Sequence, residues 1–166
     1  MDDVMRQWID KCAIQELIYR YTDSVNRADW DETIKLYAPD AVWESPALEM
    51  HFDSAEAFVE NLRGTTSNDL LVQTASSPVI ALLGEDRAEA TTTVHEFARG
   101  SSSADSALGP AGSAINFEDY GIYYDEIARL DGDWKFTHRV FVPTYIAQGC
   151  VTGDVPTLRQ NLRRPQ

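Results

Sequence analysis

Basic side chains are in short supply in this sequence. Fourteen Lys and Arg face 27 Asp and Glu over 166 residues, a formal net charge of -13. A nucleic-acid binder needs a basic face to neutralise phosphates. Docking on an anionic lipid surface needs basic clusters. Neither nucleic acid nor membrane is therefore expected as a partner. Cysteine is as scarce, with Cys12 and Cys150 alone, too few at this length for a disulfide framework. Histidine is limited to His51, His95 and His138, and no His or Cys pair has ligand spacing, so no metal site is expected. There is no glycine-rich phosphate loop and no G-x-S-x-G element; the expectation is chemistry or binding without a cofactor. No apolar run approaches ~18 residues. The N-terminal MDDVMRQWID carries acids where a secretory signal carries bases, and the expected location is cytoplasmic.

What is present is globular. Hydrophobic residues make up 43% and charged residues 25%, outside the disordered range. A domain of this size buries roughly 70% of its unfolded surface and needs no covalent staple. We read a single domain over 1–166, with a core at about 8–145 and a tail at 146–166. Ile14, Leu17, Ile18, Tyr21 and Val25 follow helical spacing and predict a long helix over about 8–27. Cys12 reads as a small core residue of that helix, and Trp8, Trp30 and Trp134 read as packing. Asp29 with Glu32, and Asp53 with Glu56, have capping-box spacing and open two further helices. Ala38-Pro39-Asp40 stops the first of these, 41–44 reads as a short strand, and Gly64 as the residue past the end of the second.

From residue 70 onward the texture is β. Strands are expected at 70–76, 78–83, 87–98, 120–130 and 134–145, with Asp131-Gly132 as a two-residue hairpin. The Gly-, Ser- and Ala-rich stretch 99–117 reads as a long loop, of the kind that serves as a flap. Helices first and antiparallel strands after imply an α+β fold. The expected form is a curved, mostly antiparallel sheet wrapped around the long N-terminal helix, leaving a cone-shaped cavity.

Three stretches carry a family resemblance. They are AIQELIYRYTDSVNRADWDETIKLYAPDAVWE at 13–44, D-R-A at 86–88 and GIYYDEIARLDGDWKFTHRVF at 121–141. In this order they resemble the SnoaL-like branch of the nuclear-transport-factor-2-like, or cystatin-like α+β roll, superfamily. That superfold hosts many unrelated activities. The resemblance to scytalone dehydratase and hexachlorocyclohexane dehydrochlorinase implies a helix aspartate orienting a strand histidine that abstracts a proton. Those two positions fall on Asn26 and Gln73, amides that cannot serve as a base. The arginine of that pattern falls on Arg139 and its pocket tryptophan on Trp43. Ketosteroid isomerases of the superfold resemble this chain at Tyr21, while their base aspartate falls on Ser45.

The resemblance sends Tyr21, Asn26, Trp43, Ser45, Gln73, Val94, Glu96, Tyr123, Arg139 and Phe141 toward the cavity. Strand parity puts Val94 and Glu96 on one face, and Thr93, His95 and Phe97 on the other. Glu96 is the expected base, with Arg139 stabilising an oxyanion, unless the two form a structural ion pair. His95 is the rival base if the register slips by one residue. Tyr21 and Tyr123 are expected to donate to a carbonyl oxygen, with Asn26, Trp43, Ser45, Gln73, Val94 and Phe141 as substrate-binding neighbours. His51 could line the mouth, and His138 should point outward. The implied activity is a cofactor-independent lyase, isomerase or cyclase. It would abstract a proton from a hydrophobic, carbonyl-bearing small molecule. The alternatives are a non-catalytic ligand-binding member, or a structural subunit like the β subunit of ring-hydroxylating dioxygenases. The resemblance also implies a homo-oligomer, a dimer or trimer through the outer face of the sheet.

Overall fold

A computed structural model describes residues 2–65, 70–102, 105 and 110–156. The first helix, α1 (Asp3–Arg27), starts five residues earlier than the apolar periodicity predicts. The Asp2 carboxylate caps it by accepting from the Val4 N–H at 3.3 Å, and Ala28 ends it in the left-handed conformation. Ile14, Leu17, Ile18, Tyr21 and Val25 form its buried stripe. Its first turns run past the sheet, so Trp8 is 64% exposed and Cys12 is exposed as well. Neither is the packing residue that composition suggested. α2 (Trp30–Lys35) is capped by Asp29, which accepts from the Glu32 N–H. Ser24 and Thr33 hydroxyls meet at 2.8 Å and fix α2 against α1.

β1 (Tyr37–Ser45) begins four residues before the predicted strand. Pro39 does not end the preceding element; it sits inside β1, where the register against β6 shifts between Tyr37 and Val42. A proline has no N–H to give a ladder and is tolerated at such an irregularity. A 3₁₀ turn at Pro46–Leu48 leads to β2 (Met50–Phe52). α3 (Ala55–Thr65) is capped by Ser54, whose hydroxyl accepts from the Ala57 N–H. The predicted cap, Asp53, pairs with His51 instead, and Gly64 falls inside the last turn.

The four long strands are β3 (Leu70–Leu82), β4 (Arg87–Ser101), β5 (Ala114–Leu130) and β6 (Asp133–Gln148). The two predicted strands at 70–83 are one strand with a register shift between Ser76 and Val79. Asp131 and Gly132 both take positive φ, as the tight turn between β5 and β6 requires. The predicted 99–117 loop shrinks from both ends. Its central residues 103–104 and 106–109, where a flap was expected, lie outside the described residues.

The strands form one sheet in the order β2-β1-β6-β5-β4-β3. All pairs are antiparallel except β1 with β6, which run parallel. This is the α+β architecture the element order implied. Ala88, Ala90, Thr92, Val94 and Ala98 alternate along the inner face of β4 and are buried. Their small size leaves room on that face for α1. Gly121 on β5 leaves room for the Phe141 ring of β6. A Cβ there would collide with the Phe141 ring and come within 2.9 Å of the Val142 carbonyl oxygen. Gly121→Ala should therefore cost about 1–3 kcal/mol of stability through overpacking, read by denaturant unfolding. A midpoint equal to that of the unaltered chain would mean that the Phe141 ring is free to move aside.

Candidate functional site

Between α1, α3 and the inner face of the sheet lies a cavity of about 130 Å³. Trp43, Phe58, Phe117, Tyr123 and Phe141 supply aromatic wall, and Trp43 stacks on Phe58 with centroids 4.6 Å apart. The polar contribution is concentrated in one row. Gln73, Glu96 and Asp119 are register partners on β3, β4 and β5. Cross-strand neighbours on one face stand side by side, and all three line the cavity. The Gln73 amide donates to Glu96 Oε2 at 2.8 Å and reaches the Tyr123 hydroxyl at 3.5 Å. Tyr123 and Tyr21 hydroxyls are themselves 3.5 Å apart. Burial pushes both tyrosine hydroxyls well up, so both stay protonated.

Asp119 is 7% exposed, and its Oδ1 has no hydrogen-bond partner. Burial, and then the neighbouring Glu96 charge, push its carboxyl up to about 8. Two neighbouring carboxylates in a largely buried site cannot both ionise cheaply, so at neutral pH Asp119 keeps its proton. Such a pair, one member charged and one neutral, can take a proton and give one.

Tyr21, Trp43, Gln73, Val94, Glu96, Tyr123 and Phe141 all line the cavity. The other expected residues are placed elsewhere. Arg139 is 1% exposed and is absent from the cavity wall. It forms a two-pronged ion pair with Asp125, at 2.6 and 2.9 Å. Its guanidinium lies over the rings of Phe136, Tyr21 and Tyr123 at 3.7, 4.2 and 4.3 Å. The ion pair considered between Glu96 and Arg139 is thus made by Asp125 instead. Asp125 shares the inner parity of β5 with Tyr123, directly opposite Arg139 in register. Asn26 also stands outside the wall. Its amide donates to the Gln73 carbonyl oxygen at 2.8 Å and accepts from the Gln73 N–H at 2.7 Å. This is a two-bond clamp on the backbone of the edge strand. Ser45 is fully buried without facing the cavity.

The histidines all lie off the cavity wall. His95 bonds Glu118 at 2.8 Å and stacks on Tyr120 at 4.1 Å. It takes the face opposite Glu96, and the register has not slipped. His138 bonds Glu44 at 2.9 Å. His51 bonds Asp53 and Glu44, which raise its pKa. Among the described residues, no group of three or more His, Cys, Asp or Glu is arranged to hold a metal.

Asp119 is a cavity-lining carboxyl that the sequence reading missed. The expected strand began at Tyr120, one residue too late. Carrying parity back from Tyr123 through Gly121 would have reached both Asp119 and Phe117. Asn61 and Gln148, which also line the cavity, left no comparable signal, because neither stands in an expected strand.

The SnoaL-like domain family matches residues 6–140. The chain belongs to that family. Among solved structures, a type 2 hexachlorocyclohexane dehydrochlorinase aligns with a TM-score of 0.76 at 13% identity, over 94% of this chain and 100% of that one. A protein provisionally assigned as a scytalone dehydratase, from Novosphingobium aromaticivorans, gives 0.72 at 18% identity, over 92% and 96%. A cystatin-like protein of unknown function from Nostoc punctiforme gives 0.61 at 14%, over 81% and 91%. At these identities the likeness is one of fold. No curated protein matches this sequence.

Two outcomes follow from the geometry. Asp119 should titrate near 8 by carbon-13 NMR, with Glu96 as the ionisable group that acts on it, and Glu96→Gln should lower that midpoint. Because the folded value lies above the ordinary carboxylate range, the stability Asp119 contributes is fully present below about 4. It is lost as pH rises to about 8. Asp119→Asn should flatten that slope, and an unchanged slope would place the titration elsewhere. Arg139→Ala should strand Asp125 as an unpaired buried charge and cost about 3–5 kcal/mol. A variant with full thermal stability would contradict the structural role.

Proposed function

We propose that this protein is a cofactor-free proton-transfer catalyst of lyase or isomerase type, acting on a small, hydrophobic, carbonyl-bearing molecule. The observation that carries the reading is the side-by-side pair of Glu96 and Asp119 in an aromatic cavity. Glu96, held by the Gln73 amide, takes a proton from carbon. The electron pair of that C–H bond moves toward the carbonyl, giving an enolate or, with loss of a leaving group, a double bond. Asp119, protonated at neutral pH, gives its proton to the oxygen that gathers charge. The Tyr123 and Tyr21 hydroxyls extend the same donor line. Arg139 acts behind them by fixing the two rings, and no charge of its own reaches the substrate in this reading. His95 has no part in it.

A second reading, ligand binding without turnover, is favoured by one observation. The two positions at which the resembling enzymes keep aspartate and histidine are amides, joined through the Gln73 backbone. As for assembly, Tyr120, Tyr124 and Tyr145 are exposed on the outer face of the sheet, and they support the expected homo-oligomer. Among the described residues no helix is long and apolar enough to cross a membrane.

The test uses cyclohexanone, whose α-hydrogens exchange in deuterium oxide when a base is positioned against them. Proton NMR should show exchange catalysed by the unaltered protein, falling by about 100-fold in Glu96→Gln. Exchange should fall as pH rises through about 8 and lose that alkaline limb in Asp119→Asn. Equal exchange in all three proteins would remove the pair from the chemistry. Binding without exchange would favour the second reading.

A further inference from the structure

Among the described residues, nothing covers a second apolar stripe on α1. Met5, Trp8 and Cys12 are exposed, and so is Tyr19 further along. With Gln15 they stand at positions 5, 8, 12, 15 and 19, alternately three and four residues apart. By the helical period this row lies on the side of α1 opposite Ile14, Leu17, Ile18 and Tyr21, which are buried. A three-four repeat is the pattern by which one helix packs along another, each apolar side chain entering a gap in the facing row. Gln15 donates to the Tyr19 hydroxyl at 3.0 Å, so the row turns polar after Cys12.

The residues flanking the row say what covers it. The helical period sets Val4 and Lys11 along one flank, and Ile9 and Glu16 along the other. All four are exposed. Among the described residues, neither Lys11 nor Glu16 has an ion-pair partner within its own chain. Between two parallel helices in register, a residue on the first flank meets the next residue of the second flank on its neighbour. Val4 then meets Ile9, Lys11 meets Glu16, and two-fold symmetry makes each contact twice. An antiparallel neighbour would set each flank against its own kind, Lys11 against Val4 or another Lys11, and Glu16 against Ile9 or another Glu16. The charges thus match one arrangement of one occupant, a copy of the same helix. The sheet already holds α1 formed, so association has no helix to order.

We propose that a second copy of this chain docks here, α1 beside α1, parallel and in register, with Lys11 of each copy paired to the partner's Glu16. In that arrangement the two Cys12 side chains face one another across the symmetry axis. Trp8, which the sequence marked as a packing residue, then packs against the partner's row. This surface is separate from the exposed tyrosines on the outer face of the sheet, and it does not depend on the chemistry of the cavity.

The experiment treats the full chain carrying Cys150→Ser, in which Cys12 is the remaining thiol, briefly with a short bis-maleimide over a range of protein concentrations. The yield of covalent dimer reads the affinity of this contact alone, whatever the sheet face does. Cys12 should be joined to the partner's Cys12. Trp8→Glu should weaken the contact by about 30-fold. Because Trp8 is exposed, the thermal unfolding of that variant should match the parent chain. Lys11→Glu should weaken the contact about tenfold by setting acid against acid. Adding Glu16→Lys to Lys11→Glu restores opposite charges between parallel copies, and the double variant should return to the parent affinity. If Cys12 is joined at no concentration, the proposal is overturned. Joining that Trp8→Glu leaves unchanged overturns it as well. A double variant that stays as weak as Lys11→Glu overturns the parallel pairing and with it the proposal.

Discussion

The fold is organised around one buried charge. Arg139 and Asp125 face each other across β5 and β6 with almost no solvent contact, and three aromatic rings close around the guanidinium. Taking two charges out of water is expensive, and geometry must repay it. Here it does so with two parallel hydrogen bonds and the faces of Tyr21, Tyr123 and Phe136, to which a cation is attracted. The consequence runs outward. Tyr21 comes from α1 and Tyr123 from β5, so one arginine fixes the helix against the sheet and sets both hydroxyls at the cavity floor. Among the described residues, the cavity wall carries the carboxyls Glu96 and Asp119, while this buried cation serves Asp125.

The long periodic elements were legible from residue order alone. α1 announced itself through Ile14, Leu17, Ile18, Tyr21 and Val25, and the parity of Val94 and Glu96 on β4 was readable because that strand is regular. Boundaries were harder, for identifiable reasons. Pro39 reads as a stop, and only the irregular pairing of β1 with β6 explains why a strand tolerates it. The ends of β4 and β5 extend into a stretch rich in Gly, Ser and Ala, residues with little strand preference. They are held there by pairing with each other, a tertiary effect that local composition does not carry. That extension hid Asp119. Arg139 was expected to face the cavity and stabilise an oxyanion, or else to pair with Glu96; its actual partner could not be chosen from the sequence, because Glu96 and Asp125 both have inward parity. Only the register decides between them.

The amides at 26 and 73 illustrate how one scaffold can be re-used. An aspartate and a histidine at these places would form a side-chain pair. Asparagine instead turns to the backbone, mimicking a strand neighbour, and leaves the side chain of Gln73 to serve Glu96. Under the proposed function, proton handling rests on the β4–β5 ladder, where Glu96 and Asp119 stand side by side, and Asn26 serves the edge strand instead.

The same clamp bears on solubility. β3 lies at the margin of the sheet, and a thirteen-residue margin with open N–H and C=O groups invites pairing with another chain. Asn26 occupies both outward groups of Gln73. A few residues on, the register breaks, Ser77 turns to a φ of 52°, and Pro78 offers no N–H. The margin is thus plugged at one point and bent at another, so no flat, continuous template remains for a second strand. A residue that elsewhere could serve chemistry guards this protein against aggregation.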